Sequence, residues 1–217
     1  MSVDVNFYRR DVRNYADDDQ LLNTGVSYPI AFDKAVIYGA EGKLTLVRLG
    51  KLSGYASYSY MVGNAWFPVT GGLFLGDDAV AALIQTAGHF PDSQDQRNTL
   101  RTRLRYQVAP RLWIAGGANY GSGLPFAYEG DEPTALAEYG QQVIDRINFD
   151  RGRILPLLAV NASLGADLYK GDRVTTRFQA DGDNLNNRLN IIDFGGLFSG
   201  NAIAPGRSFA LRLSSSF

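Results

Sequence analysis

Apolar and polar residues alternate along most of this chain with a period of two. The clearest stretch is TLRTRLRYQV, residues 99–108. Leu100, Leu104, Tyr106 and Val108 share one face with Thr102, and Thr99, Arg101, Arg103, Arg105 and Gln107 share the other. Such alternation predicts a strand with one apolar and one polar face. Three arginines at alternate positions cannot enter a dry core, because an unpaired buried charge is too costly. They need water or acidic partners. The pattern recurs at 2–12 (Val3, Val5 and Phe7 against Asp4, Asn6 and Tyr8) and at 35–47 (Tyr38, Ala40, Leu44 and Leu46 against Glu41, Lys43 and Thr45). It continues at 52–62, 112–124, 156–169, 174–183 and 206–217. The last of these reads RSFALRLSSSF, with Phe209, Leu211, Leu213 and Phe217 opposite Ser208, Arg212, Ser214 and Ser216.

About eight strands result, many around ten residues or longer. Strands of globular proteins run nearer 5–6 residues, whereas a tilted membrane-spanning strand needs about 9–11. The connections alternate in length. RLGK at 48–51, APR at 109–111 and KGDR at 170–173 are tight, and between them lie long segments at roughly 13–34, 64–96, 125–153 and 187–205. In an up-and-down meander every short turn then falls at one end and every long loop at the other, as in outer-membrane barrels. Within 64–96, GDDAVAALIQTAG predicts a short helix with Asp77 as N-cap and a stop near Gly88. The pattern predicts an all-β fold, an antiparallel up-and-down meander that forms part of a transmembrane β-barrel, with residues 1–217 as a single segment.

Composition narrows the chemistry. The formal net charge is −1, which recommends no nucleic acid as partner. Cysteine is absent, so no disulfide, thiolate zinc site or cysteine nucleophile exists. The single histidine, His89, lies in an expected loop and reads as a surface residue. Asp17, Asp18 and Asp19, and Gly76-Asp77-Asp78, lack the spacing of a calcium loop and read as solvated acidic tips. Asn161-Ala-Ser matches a glycosylation acceptor but sits inside an expected strand, and Gly121-Ser-Gly123 has no helix after it to bind phosphate. No catalytic, cofactor or metal site emerges, and no enzyme is expected. Mean hydropathy is −0.15, which is ordinary for a barrel whose strands alternate lipid-facing and lumen-facing residues. No run of about 18 apolar residues exists, and MSVDVNFYRRDV lacks the apolar stretch of a signal peptide. Tyr8, Tyr38, Tyr58, Tyr60, Tyr106, Trp113, Tyr120 and Tyr169 lie near expected strand ends. They suit an interfacial girdle, or simply an aromatic-rich sheet.

Several segments together resemble the C-terminal barrel of TonB-dependent outer-membrane receptors. They are VDVNFYRRDVRNY, AVIYGAEGKLTLVRLGKLSGYASYSYMVG with its Ala35, Tyr38, Gly39 and Glu41, RLWIAGGANYGSGLPF, RFQADGDNLNNR and GRSFALRLSSSF. YGSGLPF before a long loop is similar to receptors of the carboxypeptidase-regulatory-like subgroup. The resemblance implies a Gram-negative outer-membrane location and, in the intact protein, a plug domain, TonB as partner and energy-coupled uptake of a metal chelate, vitamin or glycan. Phe217 then resembles the C-terminal signal read by the barrel-assembly machinery. Receptors of this family have 22 strands, a plug and a TonB box. About eight strands and no plug-like segment are legible here, so the chain reads as a fragment, a truncated product or a misplaced start. Asp183 stands where many relatives carry an apolar residue.

In this reading Lys43, Arg101, Arg103, Arg105 and Arg177 line the lumen, because a charge on the lipid side costs about 2–4 kcal/mol at the bilayer midplane. They are balanced by Glu41, Asp167, Asp181 and neighbouring acids, or they meet plug carboxylates or an anionic solute. Two other readings remain at this point. One is a complete eight-stranded outer-membrane barrel with a structural or pore role. The other is a soluble β-barrel that binds a ligand.

Overall fold

The computed structural model describes residues 1–20, 27–71, 89–126, 128, 130–171, 174–196 and 200–216. Eight strands form the main path of one sheet: β1 (Ser2–Gln20), β2 (Ser27–Leu49), β3 (Leu52–Gly71), β5 (Asn98–Ala109), β6 (Leu112–Gly121), β9 (Leu157–Lys170), β10 (Thr175–Asp183) and β13 (Ser208–Ser216). Each is antiparallel to the next, and β1 and β13 stand at opposite ends of the path. A short strand, β4 (His89–Pro91), lies against β3 beyond the start of β5. The fold is an all-β antiparallel meander, an open portion of a barrel wall.

The register shows why the alternation matters. One row across the sheet reads Asp4, Lys43, Ser57, Arg101, Asn119, Ala159; the adjacent row reads Val3, Leu44, Ala56, Thr102, Ala118, Val160. Directly paired residues point to the same side of a sheet and successive residues to opposite sides. The whole wall therefore has one polar and one apolar face. On the apolar face Phe7 is 78% exposed and Phe209 and Leu211 are each 74% exposed. The apolar set runs from Leu100 to Val108 on β5, Leu112 to Tyr120 on β6 and Leu158 to Leu168 on β9. Each span matches the roughly 9–11 residues that cross a bilayer at a tilt. Tyr38, Tyr60 and Tyr120 lie at one end of this band, and Tyr106 and Tyr169 at the other.

The tight turns follow from local chemistry. Leu49 pairs with Leu52 around Gly50, whose φ of 61° is costly for any residue with a Cβ. Ala109 pairs with Leu112 around Pro110, and Gly171 N–H donates to Val174 O at 2.9 Å. All three turns lie at one end of the wall.

The opposite end differs from expectation. Residues 13–20 and 27–34 are strand, not loop: β1 continues to Gln20 and β2 begins at Ser27, and β3 runs on to Gly71. Tyr15, Phe32, Ala35, Ala65 and Phe90 cluster there, with Phe32 and Phe90 edge to face at 5.0 Å. This small core holds the hairpin together where period two is disturbed, by Asn14 at φ 49° and by register shifts on either side of Phe32. Asp17, Asp18 and Asp19 lie within β1, paired with Ile30, Pro29 and Tyr28. The helix expected around Asp77 to Gly88 falls outside the described residues.

The segment expected as a loop at 125–153 is folded. It carries α1 (Glu132–Tyr139), α2 (Gln141–Ile144), the short pair β7 (Ile147–Asn148) and β8 (Arg153–Ile154), and a single 3₁₀ turn at Phe149–Arg151. Asp131 caps α1 by accepting from Thr134 N–H at 2.9 Å, and Gly140 ends it at φ 78°. The segment at 187–205 carries β11 (Ile191–Gly196) paired with β12 (Gly200–Ile203). The two segments share one core of Ala135, Ile144, Ile147, Ile154, Ile191 and Phe194. The largest hydrophobic core among the described residues thus lies at one end of the wall, not on either face of the sheet.

Candidate functional site

The polar face and this folded loop unit carry the chemistry. On β5, Arg101, Arg103 and Arg105 project at alternate positions, about 6.8 Å apart along the strand. They share the face with Ser53, Tyr55 and Ser57 on β3 and with Ala115, Gly117 and Asn119 on β6. Lys43 and Arg177 lie on the same face, through the rows Lys43–Ser57–Arg101 and Arg177–Ser214. All five residues singled out from the sequence therefore share one side of the sheet.

Their partners differ. Arg177 Nε donates to Asp167 Oδ1 at 2.8 Å. Arg103 stretches across β6 to donate to Ser163 Oγ at 3.1 Å, which the small Ala115 and Gly117 beneath it permit. Arg105 stacks on the Trp113 indole at 4.4 Å and reaches Gln107 Oε1 at 3.3 Å. Lys43 lies 5.9 Å from the Tyr55 ring centre. Among the described residues no carboxylate forms an ion pair with Arg101, Arg103 or Arg105. Their charge is open to an anionic group approaching this face.

Two aromatics expected in a girdle belong here instead. Tyr8 pairs with Gly39 in the polar row, and its hydroxyl lies over that glycine. Trp113 is buried on the polar side over Gly165, its partner on β9. A Cβ at Gly165 would overlap the indole. Gly165→Val is expected to displace Trp113 and release Arg105, at a cost of about 1–3 kcal/mol by overpacking. A loss of Trp113 fluorescence shielding from an aqueous quencher checks this. Asp183, an unexpected acid at the end of β10, pairs with Ser208 in the polar row, which removes the conflict with a lipid-facing position.

Where the loop end meets the wall, Asp95 forms a hub that period-two reading passes over. Asp95 is fully buried. It accepts from Gly63 N–H at 3.0 Å, from Arg97 Nε at 2.8 Å and from Arg153 Nη2. Arg153 also donates to the Asp95 carbonyl at 2.8 Å and the Gly123 carbonyl at 3.2 Å. One carboxylate thus ties β3, the segment before β5 and the folded loop together. The Asp95 hydrogen bond raises the Arg97 guanidinium above its ordinary value. Beside it, Asp92 accepts from the Tyr15 hydroxyl at 3.1 Å.

The NLNNR stretch, with Asn190 two residues beyond it, acquires a local role. Beyond Asp183, β9 loses its partner strand and its backbone would be unpaired. Asn190 accepts from Leu158 N–H at 3.0 Å and donates to Leu158 O at 3.1 Å, and Asn186 accepts from Val160 N–H at 3.0 Å. Asn184 and Asn187 hold φ of 47° and 48°, a left-handed conformation that asparagine tolerates. His89 pairs with Trp66 at the loop end and is exposed; no acid or nucleophile joins it in a catalytic arrangement among the described residues. Among the described residues no group of three or more metal-ligating side chains converges. Phe217 lies outside the described residues.

Comparison with protein-family models gives no match, and comparison with curated proteins gives none. Among solved structures, the chain is similar to the ferric-catecholate import receptor Fiu of K12 E. coli in its closed form. The TM-score is 0.59 at 14% sequence identity, over 99% of this chain and 25% of that one. The chain therefore spans about a quarter of the length of the structure it matches. At this identity the likeness is one of fold: a receptor-like barrel wall.

Proposed function

We propose that this chain is a wall segment of a TonB-dependent outer-membrane receptor that, intact, takes up a scarce solute with the help of a plug domain and TonB. The observation that carries the reading is the two-faced wall. Every strand of the main path contributes to one apolar and one charged face, in a meander whose fold is that of an import receptor's barrel. The apolar face meets outer-membrane lipid. Lys43, Arg101, Arg103, Arg105 and Arg177 face the lumen, where plug carboxylates or an anionic solute meet them, and no bond is made or broken. The solute class (a metal chelate, a vitamin or a glycan) is set by the intact barrel and plug.

A soluble ligand-binding barrel would leave Phe7, Phe209 and Leu211 in water, and a contiguous apolar face of this size on a soluble protein marks an interface. A complete eight-stranded barrel requires β1 to pair with β13, and these are the two ends of the sheet path. The test expresses the intact gene in a Gram-negative host with and without TonB, under limitation for each solute class. The expected result is an outer-membrane protein with heat-modifiable migration that supports growth on one scarce solute only when TonB is present. A protein in the soluble fraction, or growth independent of TonB, overturns the reading.

A further inference from the structure

Beyond the apolar band, the outward face of the first three strands becomes charged within a few residues. After Val3, Val5 and Phe7, the same face of β1 presents Arg9, Asp11 and Arg13. Register sets Arg9 beside Tyr38, Asp11 beside Val36 and Arg13 beside Lys34, with Trp66 beside Lys34 on β3 and His89 beside Trp66 on β4. Lys34 Nζ lies 4.8 Å from the Trp66 ring centre, and the His89 ring lies 5.4 Å from it. Asp11 is occupied by Arg9, which donates to both its oxygens at 2.9 and 3.0 Å. Arg13 and Lys34 are exposed neighbours on this face, and neither forms an ion pair among the described residues. Asp33, next in sequence to Lys34, forms no ion pair among the described residues.

We infer that Arg13 and Lys34, with Trp66 and His89 beside them, bind the phosphate groups of outer-leaflet lipid headgroups. The inference rests on the membrane-barrel reading and adds to it a lipid site on the outside of the wall. Height selects the occupant. Lys34 lies four positions beyond Tyr38, the last tyrosine of the band on β2. That is about 13 Å along the strand, or about 9 Å of height at a tilt of about 45°. The headgroup layer extends roughly 5–8 Å beyond the hydrocarbon on each side. Arg13 and Lys34 therefore stand at the outer margin of this layer, directly above lipid-facing residues of the same strands. Trp66 suits the same layer, because its ring is apolar and its N–H is wet. An anion from bulk solution would have no reason to require this continuity with the apolar band.

The test uses the intact protein purified from outer membranes in mild detergent. Phosphorylated lipid retained per protein is measured by native mass spectrometry for the parent, for Arg13→Gln/Lys34→Gln, and for Arg48→Gln/Lys51→Gln at the turn end. A cation near a lipid surface contributes about fivefold to binding. The first variant should therefore hold lipid roughly 25-fold more weakly, and the second should match the parent. Heat-modifiable migration of each variant reports separately whether the barrel is present. A folded outer-membrane barrel whose retained lipid does not change overturns the lipid site alone. Equal occupancy of delipidated protein by inorganic phosphate overturns the commitment to lipid. A protein absent from the outer membrane overturns the site together with the barrel reading.

Discussion

Phe194→Ala is expected to destabilise the folded loop unit by about 3–5 kcal/mol while leaving the wall intact. Phe194 is 1% exposed and is ringed by Phe126, Tyr128, Tyr139 and Phe149 at centroid distances of 5.8, 5.2, 5.3 and 6.3 Å. Removing its ring leaves a cavity that rigid flanking strands cannot close. The helices α1 and α2 are too short to persist alone, so the loss should reach the whole unit. Limited proteolysis between residues 127 and 153 checks this: cleavage should appear in the variant at protease levels that spare the parent. The strands should remain protected, since their hydrogen bonds run across the wall and not through the loop core. Unchanged protection of the loop would show that Phe194 does not organise it.

Asp95→Ala is expected to cost about 3 kcal/mol of local stability, because it strands the Arg153 and Arg97 guanidiniums and leaves Gly63 N–H unpaired. The lower end of the range for a broken buried pair applies, since the side chain of Arg97 is 37% exposed and recovers water. The consequence is spatial as well as energetic. Asp95 joins segments that are distant in sequence, so its loss should free residues 89–97 and β8 of the folded loop together. Hydrogen exchange should accelerate in both. Asp95→Asn preserves the shape but not the charge and should give a smaller effect in the same two segments. Acceleration confined to one segment would mean that the carboxylate is not the joint.

The wall was legible in the sequence because its physics is local. Leu100 through Val108 alternate strictly, and a period of two has one structural meaning when it repeats in segment after segment. The tight turns were equally plain, since Gly50, Pro110 and Gly171 each mark a change of direction. Legibility failed where tertiary contacts override the period. Tyr15 and Phe32 keep β1 and β2 paired far past the point where alternation stops, and only their meeting with Phe90 explains it. Trp113 looked interfacial by composition. Its place on the polar face follows from its parity with Ala115 and Asn119, a signal that was present in the sequence and outweighed by residue type. Asp95 and Phe194 carried no pattern at all, because each acts through partners that folding brings from far along the chain.

These parts fit one working arrangement. In the proposed function the apolar face anchors the wall in lipid, and the arginine row gives the opposite face a charge that small residues such as Gly117 leave room to project. At the loop end, Asp95 joins the compact unit to the wall, and the asparagines of NLNNR pair the exposed edge of β9.

The orientation of the two faces is the central claim, and the absence of cysteine from these 217 residues opens the wall to labelling once any cysteine elsewhere in the intact protein is replaced. Single cysteines placed in turn from residue 99 to residue 108 of the intact protein in membranes can each carry a spin label. Collision with oxygen, which concentrates in lipid, and with a water-soluble paramagnetic reagent then reports each side chain's surroundings. The account predicts a period of two, with oxygen access at 100, 102, 104, 106 and 108 and aqueous or protein-shielded surroundings at 99, 101, 103, 105 and 107. Uniform aqueous access at all ten positions, or oxygen access at 101, 103 and 105, would contradict it.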